Sequence, residues 1–311
     1  MMMTAAKSVS AWAVWSGRLR FVFATALVWA SLHFIVGGFL LPEGLDRPLV
    51  LASARFGPLT GLLVAGLLCA GGALIARLPG VRDRREPLFI LGLALALWVA
   101  EGGRHGGTFD AWLILRNESP GPPARGAYVV LLADYIYLLL GVGGAFLLST
   151  RRAATAPRLT TETAAPPQLK SAAKPAAERR QGLIALLITT IAAGVVTNIL
   201  MGPAVGATLR GQVYFAVFVG LMAGAYLAMR VTNVRDPRWY WPAPFLLGFV
   251  GLVAAMINPA LMLPPEYRQL NVIPAWGLAR ALPTEMVGVG LVGVLWLLHE
   301  PETRVATESG Q

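Results

Sequence analysis

Long apolar runs separated by short, polar and often basic segments dominate this chain. Eight runs stand out, near Phe21–Leu41, Leu59–Ala76, Leu88–Ala100, Tyr128–Leu148, Leu183–Met201, Val213–Met229, Pro244–Ile257 and Met286–Leu298. The longest approach about 20 residues, the length an α-helix needs to cross a hydrocarbon core of roughly 30 Å. The pattern predicts an all-α integral membrane protein with eight transmembrane helices. The run from Phe21 to Leu41 follows Lys7, Arg18 and Arg20 as a signal peptide would. It is too long for a signal h-region and has no small-x-small cleavage site after it, so it reads as a retained first span. Trp12 and Trp15 just before it suit an interfacial anchor.

Composition agrees. Of 311 residues, 56% are hydrophobic and only 14% charged, where a soluble domain carries about 25% charged residues. Mean hydropathy is +0.62. These values exclude a soluble enzyme, a disordered chain and a secreted disulfide scaffold. Cys69 is the single cysteine and lies in an apolar run, so neither an intrachain disulfide nor a thiolate zinc cluster can form.

The net charge of +10 is explained by topology rather than by nucleic-acid binding. With both termini on the cytoplasmic side, inside segments hold 18 of the 26 Lys and Arg residues. The positive-inside rule therefore predicts cytoplasmic termini. Residues 151–181, rich in Ala, Pro, Thr, Lys and Arg, lack apolar periodicity and read as a flexible cytoplasmic linker. The expected organisation is a cytoplasmic or interfacial segment 1–20, a four-span half 21–150, the linker 151–181, a second four-span half 182–299 and a tail 300–311.

The two halves share motifs in the same order. Arg77, Val81, Arg82 and Asp83 follow the second span; Arg230, Val234, Arg235 and Asp236 follow the sixth at a constant offset of 153. Ala111-Trp112 with Arg116 matches Ala275-Trp276 with Arg280, each between the third and fourth spans of its half. Duplication into two parallel four-helix repeats is expected, related by an axis along the membrane normal. Gly220 and Gly224 form a small-xxx-small pair of the kind that lets membrane helices approach closely. Both third spans end in helix-breaking sequence, which points to segments 101–127 and 258–285 as the functional region.

Two constellations carry candidate chemistry. Arg116 and Arg280, each four residues after a tryptophan (Trp112, Trp276), are candidates to hold a small anionic or lipid-like ligand between the halves. His33, Glu101 and Asp134 are placed by helical rise on the order of 9 to 12 Å below the outer surface, and are candidates for a proton relay or coupling site. With His105 they form a weaker candidate for a metal site, which no ligand-spacing motif supports. No cofactor is implied. The leading reading is a transporter or permease-like protein of a bacterial inner membrane. Its partners would be the lipid bilayer and a second copy or other membrane subunits, with no nucleic acid. Two others stand beside it: a non-catalytic subunit or assembly factor of a larger membrane complex, and an intramembrane enzyme using His33, Glu101 and Asp134.

Overall fold

The computed structural model describes residues 11–37, 50–51, 56–78, 81, 85–102, 125–155, 173–201, 210–257 and 277–299. Among these residues the chain is helical with no strand. Each apolar run of the sequence lies mainly on one helix: α1 (Ala11–Ser31, continued by a π turn Leu32–Val36), α2 (Pro58–Ile75), α3 (Arg85–Gly102), α4 (Arg125–Thr155), α5 (Ala173–Met201), α6 (Arg210–Thr232), α7 (Ala243–Ile257) and α8 (Pro283–Trp296).

Six of these segments are long and apolar enough to cross a membrane, against the eight expected: Trp15–Val36, Pro58–Ile75, Tyr128–Thr150, Ala176–Met201, Arg210–Thr232 and Pro237–Ile257. The other two fall short for distinct reasons. Helix α3 carries Arg85, Glu86 and Glu101 within its 18 residues. Helix α8 has only 14 residues, about 21 Å of rise. Helix also occupies 151–155 and 173–181 at the two ends of the expected linker. Ala-, Arg- and Glu-rich sequence there favours helix; residues 156–172 lie outside the described residues.

Local chemistry sets the helix ends. Pro58 and Pro283 occupy first-turn positions of α2 and α8, where a missing N–H costs nothing. Helix α6 stops at Asn233, which adopts the left-handed conformation (φ 55°) that Asn tolerates at helix ends. Its N–H donates to the Met229 carbonyl at 3.0 Å. Asp236 then accepts the Arg238 N–H at 2.9 Å, and the Tyr240 hydroxyl donates to the Val234 carbonyl at 2.5 Å. The Val234–Asp236 motif is thus a hydrogen-bonded corner between α6 and α7. In its first-half counterpart, Arg82 and Asp83 lie outside the described residues.

Helix α8 is the centre of the molecule. Every residue from Pro283 to Leu295 is buried, and α8 packs on α3, α4, α6 and α7. Glycines make this possible. A Cβ on Gly288 would lie 2.9 Å from the Ala96 backbone nitrogen of α3, and one on Gly92 would lie 2.7 Å from the Leu291 Cβ. A Cβ on Gly290 would meet Leu221 and Pro244 at 2.6 and 2.8 Å; on Gly293 it would meet the Phe218 carbonyl oxygen at 2.6 Å. Gly220 and Gly224 serve the α5–α6 pair in the same way, against Thr197 and the Thr189 carbonyl. Cys69 is a packing residue, its sulfur pressed against Gly144 on the α2–α4 seam.

The pairwise packing has a recurring form. Helix α2 packs on α4 as α6 packs on α8, α1 on α3 as α5 on α7, and α3 on α8 as α7 on α4. The peripheral helices turn large apolar side chains outward, including Phe23, Phe34, Leu187 and Ile199. At the linker end, Arg20 and Glu86 pair at 3.0 Å between α1 and α3. Arg85 donates to the carbonyl of Leu298, just past α8, and to that of Arg235 at 3.3 Å. A cation there also complements the negative end of the α8 dipole.

The glycine seams yield a sharp contrast. Gly293→Ala should destabilise the detergent-purified protein by about 1–3 kcal/mol, the usual cost of overpacking. Gly66 on α2 has nothing within 4 Å of a Cβ, so Gly66→Ala should be neutral or stabilising by up to about 1 kcal/mol. Thermal unfolding of the two variants checks the difference.

Candidate functional site

The polar interior gathers at the first turn of α8, on the side of the bundle away from the linker. The chain approaches α8 through a 3₁₀ turn, Gly277–Arg280, and Leu278, Ala279, Arg280, Ala281 and Leu282 are all buried. A Cβ on Gly251 of α7 would lie 2.9 Å from the Leu278 Cβ. Gly251 is six residues from the end of α7, so this turn sits about 9 Å inside the helix end. Non-helical backbone at such depth must be covered by protein, and α5 and α7 cover it.

Glu285 organises the turn. Its Oε2 accepts the Leu282 N–H at 2.9 Å, satisfying a donor exposed by the helix start. Its Oε1 lies 3.9 Å from Nε of Arg210, the first residue of α6, and its side chain is only 4% exposed. Tyr214, one turn along α6, stands against both groups. Tyr135 on α4 lies within electrostatic reach of Glu285 and Asp134, and its hydroxyl abuts Gly248 of α7.

Asp134 repeats the device in the first half. Fully buried on α4, its Oδ2 accepts the Leu51 N–H at 2.8 Å, and Val50 and Leu51 are themselves buried. Helices α4 and α8 therefore each use one carboxylate to hold the backbone N–H of a buried residue outside the long helices, Leu51 and Leu282. Tyr135 Oη and Thr284 Oγ1 are buried without a hydrogen-bond partner. A buried, unsatisfied polar group costs about 1–3 kcal/mol, so two hydroxyls beside the carboxylates mark a polar interior that packing alone does not explain.

The residues singled out from sequence divide three ways. Arg280 and Asp134 are buried in the bundle, 2% and 0% exposed, and Arg280 lies two residues before the N–H that Glu285 holds. His33 and Glu101 come together, Nδ1 to Oε2, at 3.2 Å, with side chains 39% and 35% exposed. His33 lies in the π turn ending α1 and stacks on Trp29. Among the described residues, no three His, Cys, Asp or Glu side chains form a group suited to a metal ion, so Asp134 is not gathered with His33 and Glu101. Trp112, Arg116, Trp276 and His105 lie outside the described residues, as does Arg104.

Sequence reasoning missed Glu285, Arg210, Tyr135 and Tyr214. Glu285 and Arg210 flank their apolar runs and so read as loop residues. The available signal was local: Pro283 at the first helical position with an acid two residues later marks a helix start.

Comparison with known proteins gives no match to any family model, curated protein or solved structure. The class rests on the fold: a helical, apolar-rich chain compatible with a polytopic membrane protein, whose six long apolar helices suggest a membrane-embedded molecule.

Glu285→Ala removes the acceptor for Leu282 N–H and should cost about 1–3 kcal/mol of stability. Glu285→Gln keeps an acceptor oxygen and should cost less. Equal losses in thermal unfolding of the two variants would show that the Leu282 bond contributes nothing.

Proposed function

We propose that this chain is a transporter or permease-like protein of a bacterial inner membrane, carrying a small anionic or lipid-like ligand through a site between its two halves. The observation that carries the reading is the buried cluster at the start of α8. Arg210, Arg280, Asp134 and Glu285 are ionisable groups in a bundle whose described buried residues are mostly apolar. Intramembrane ionisable residues mark substrate or ion pathways. A short helix preceded by buried non-helical backbone is the arrangement transporter folds use for their sites.

The reading includes two parallel four-helix repeats with both termini cytoplasmic. Supporting it, a Cβ added to Gly141 of α4 would lie 3.0 Å from the Ala65 backbone of α2, and one added to Gly293 of α8 would lie 2.6 Å from the Phe218 carbonyl oxygen of α6. Phe218 follows Ala65 by 153 positions, the same offset as the Val-Arg-Asp motif, and Gly293 follows Gly141 by 152. The recurring helix pairs support the same equivalence. In this scheme Arg116 and Arg280 are counterparts that engage the ligand, Trp112 and Trp276 form a rim, and the carboxylates couple protons. His33 and Glu101 form a separate polar pair near the far surface.

The test is flux of small anions, including inorganic phosphate, sulfate and nitrate, into liposomes carrying the purified full chain. Replacing Arg116 and Arg280 together by Gln should lower flux at least tenfold in protein that still inserts and folds, with some loss of thermal stability from the buried Arg280. Normal flux in the double variant overturns the proposed role of the arginines. Absence of flux in wild type, with stoichiometric co-purification of other membrane subunits, favours a subunit role instead.

A further inference from the structure

We infer that the gap between α3 and α6 at the linker end of the bundle is a groove for one anionic phospholipid, its acyl chain against Trp296 and its phosphate at Arg235 and Arg85. The inference rests on the membrane-embedded fold and on which loops share the linker side, and it is independent of transport.

The groove follows from how α8 is covered. Helices α3 and α6 both pack on α8, yet they scarcely touch one another, so one face of α8 shows between them. Val289 and Val292 are the least buried of its aliphatic side chains, at 8%, and Trp296 is 55% exposed. Their spacing puts all three on one helical face. The Phe89 ring of α3 and the Phe218 ring of α6 flank the indole, with centroids 6.1 and 6.0 Å away. From Val289 to Trp296 the strip rises about 10 Å, within the roughly 15 Å of one leaflet. That length suits an acyl chain and is too short for a spanning helix of a partner.

The foot of the groove is basic. Arg85 begins α3, one turn before Phe89, and donates across to the carbonyls of Leu298, just past α8, and of Arg235, at the corner after α6. Both of these acceptors are neutral, and Arg235 is exposed. The neighbouring carboxylates have cations of their own: Glu86 pairs with Arg20 and Asp236 with Arg238, each at 3.0 Å. The sign of the surface does not depend on the described residues alone. Over the full sequence, tail and loops included, the linker side of the eight apolar runs carries 18 Lys and Arg against 8 Asp and Glu. The other side carries 8 of each, so the whole net charge of +10 lies on the linker side. Basic pockets between membrane helices on such a face bind anionic headgroups, and tryptophan settles at headgroup level. Guanidinium groups also match the oxygens of a phosphodiester. An occupant with a negative head and an apolar body fits both foot and groove. A zwitterionic lipid would bring a second cation toward the arginines.

The experiment is native mass spectrometry of the purified full chain in mild detergent, titrated with phosphatidylglycerol or phosphatidylcholine. Wild type should retain one phosphatidylglycerol at a concentration at least fivefold below that needed for phosphatidylcholine. Arg235→Gln and Trp296→Leu, both at exposed positions, should each lower phosphatidylglycerol retention at least threefold. Arg77 is exposed just past α2, a helix that packs chiefly on α4, and Arg77→Gln should leave retention unchanged. Equal retention of the two lipids by wild type overturns the inference. A loss in Arg77→Gln as large as that in Arg235→Gln overturns it too, since the attraction would then belong to the whole basic face. So does displacement of the lipid by millimolar inorganic phosphate, which would mean that the headgroup binds without the groove. The wild-type comparison of the two lipids decides the matter even if a variant fails to fold. Because the readout is retained mass, a chain that carries no flux still tests the groove.

Discussion

Helix α8 must touch protein on every side, and that requirement shapes the rest of the molecule. Between membrane helices, association relies on close van der Waals packing rather than on burial of apolar surface from water. Small residues therefore sit where α8 crosses its neighbours: Gly288 against α3, Gly290 against α6 and α7, and Gly293 against α6, with Gly92 completing the α3 seam. Such packing leaves little room for a long helix to enter from the far side. The chain instead reaches α8 through a buried turn, and α8 begins inside the bundle.

A helix that begins inside the bundle has a start that water cannot satisfy. Glu285 answers this with its bond to the Leu282 N–H, and its negative charge also favours the positive end of the helix dipole. That charge has its own counterpart in Arg210. The polar cluster thus follows from the packing: depth demands a cap, the cap brings a charge, and the charge brings an arginine. Asp134 and Leu51 follow the same logic in the first half. At the opposite end of α8, Arg85 of α3 donates to the Leu298 carbonyl just past the helix, so ionic side chains hold both ends, Glu285 from within α8 and Arg85 from a neighbouring helix.

Much of the fold was legible in the apolar runs, because a chain crossing lipid must satisfy its backbone within each helix. Depth arithmetic likewise put His33 and Glu101 at one level, and the structure joins them at 3.2 Å. The same arithmetic could not tell which residues at a level face each other, and Asp134 turns elsewhere. Arg280 and Asp134 were singled out for different reasons and are both buried in the bundle. Glu285 and Arg210 escaped because each lies just outside an apolar run, and sequence alone does not reveal that the far-side chain dips inward to bury them. The glycines of α8 read as generic packing residues; which neighbour each meets is a property of the assembled bundle.

The most direct test of α8 as the central helix is disulfide crosslinking of Gly92→Cys with Leu291→Cys in a Cys69→Ser background. A Cβ added at position 92 would lie 2.7 Å from that of Leu291, so a parting of α3 and α8 by about 1 Å brings the pair into the range of about 3.5–4.5 Å that a disulfide spans. Position 139, an exposed leucine on α4, serves as the control partner. The account predicts rapid crosslinking of the 92–291 pair within one chain, and none of the 92–139 pair. Failure of the 92–291 pair to crosslink in a folded, membrane-inserted protein would contradict a central α8 packed on α3.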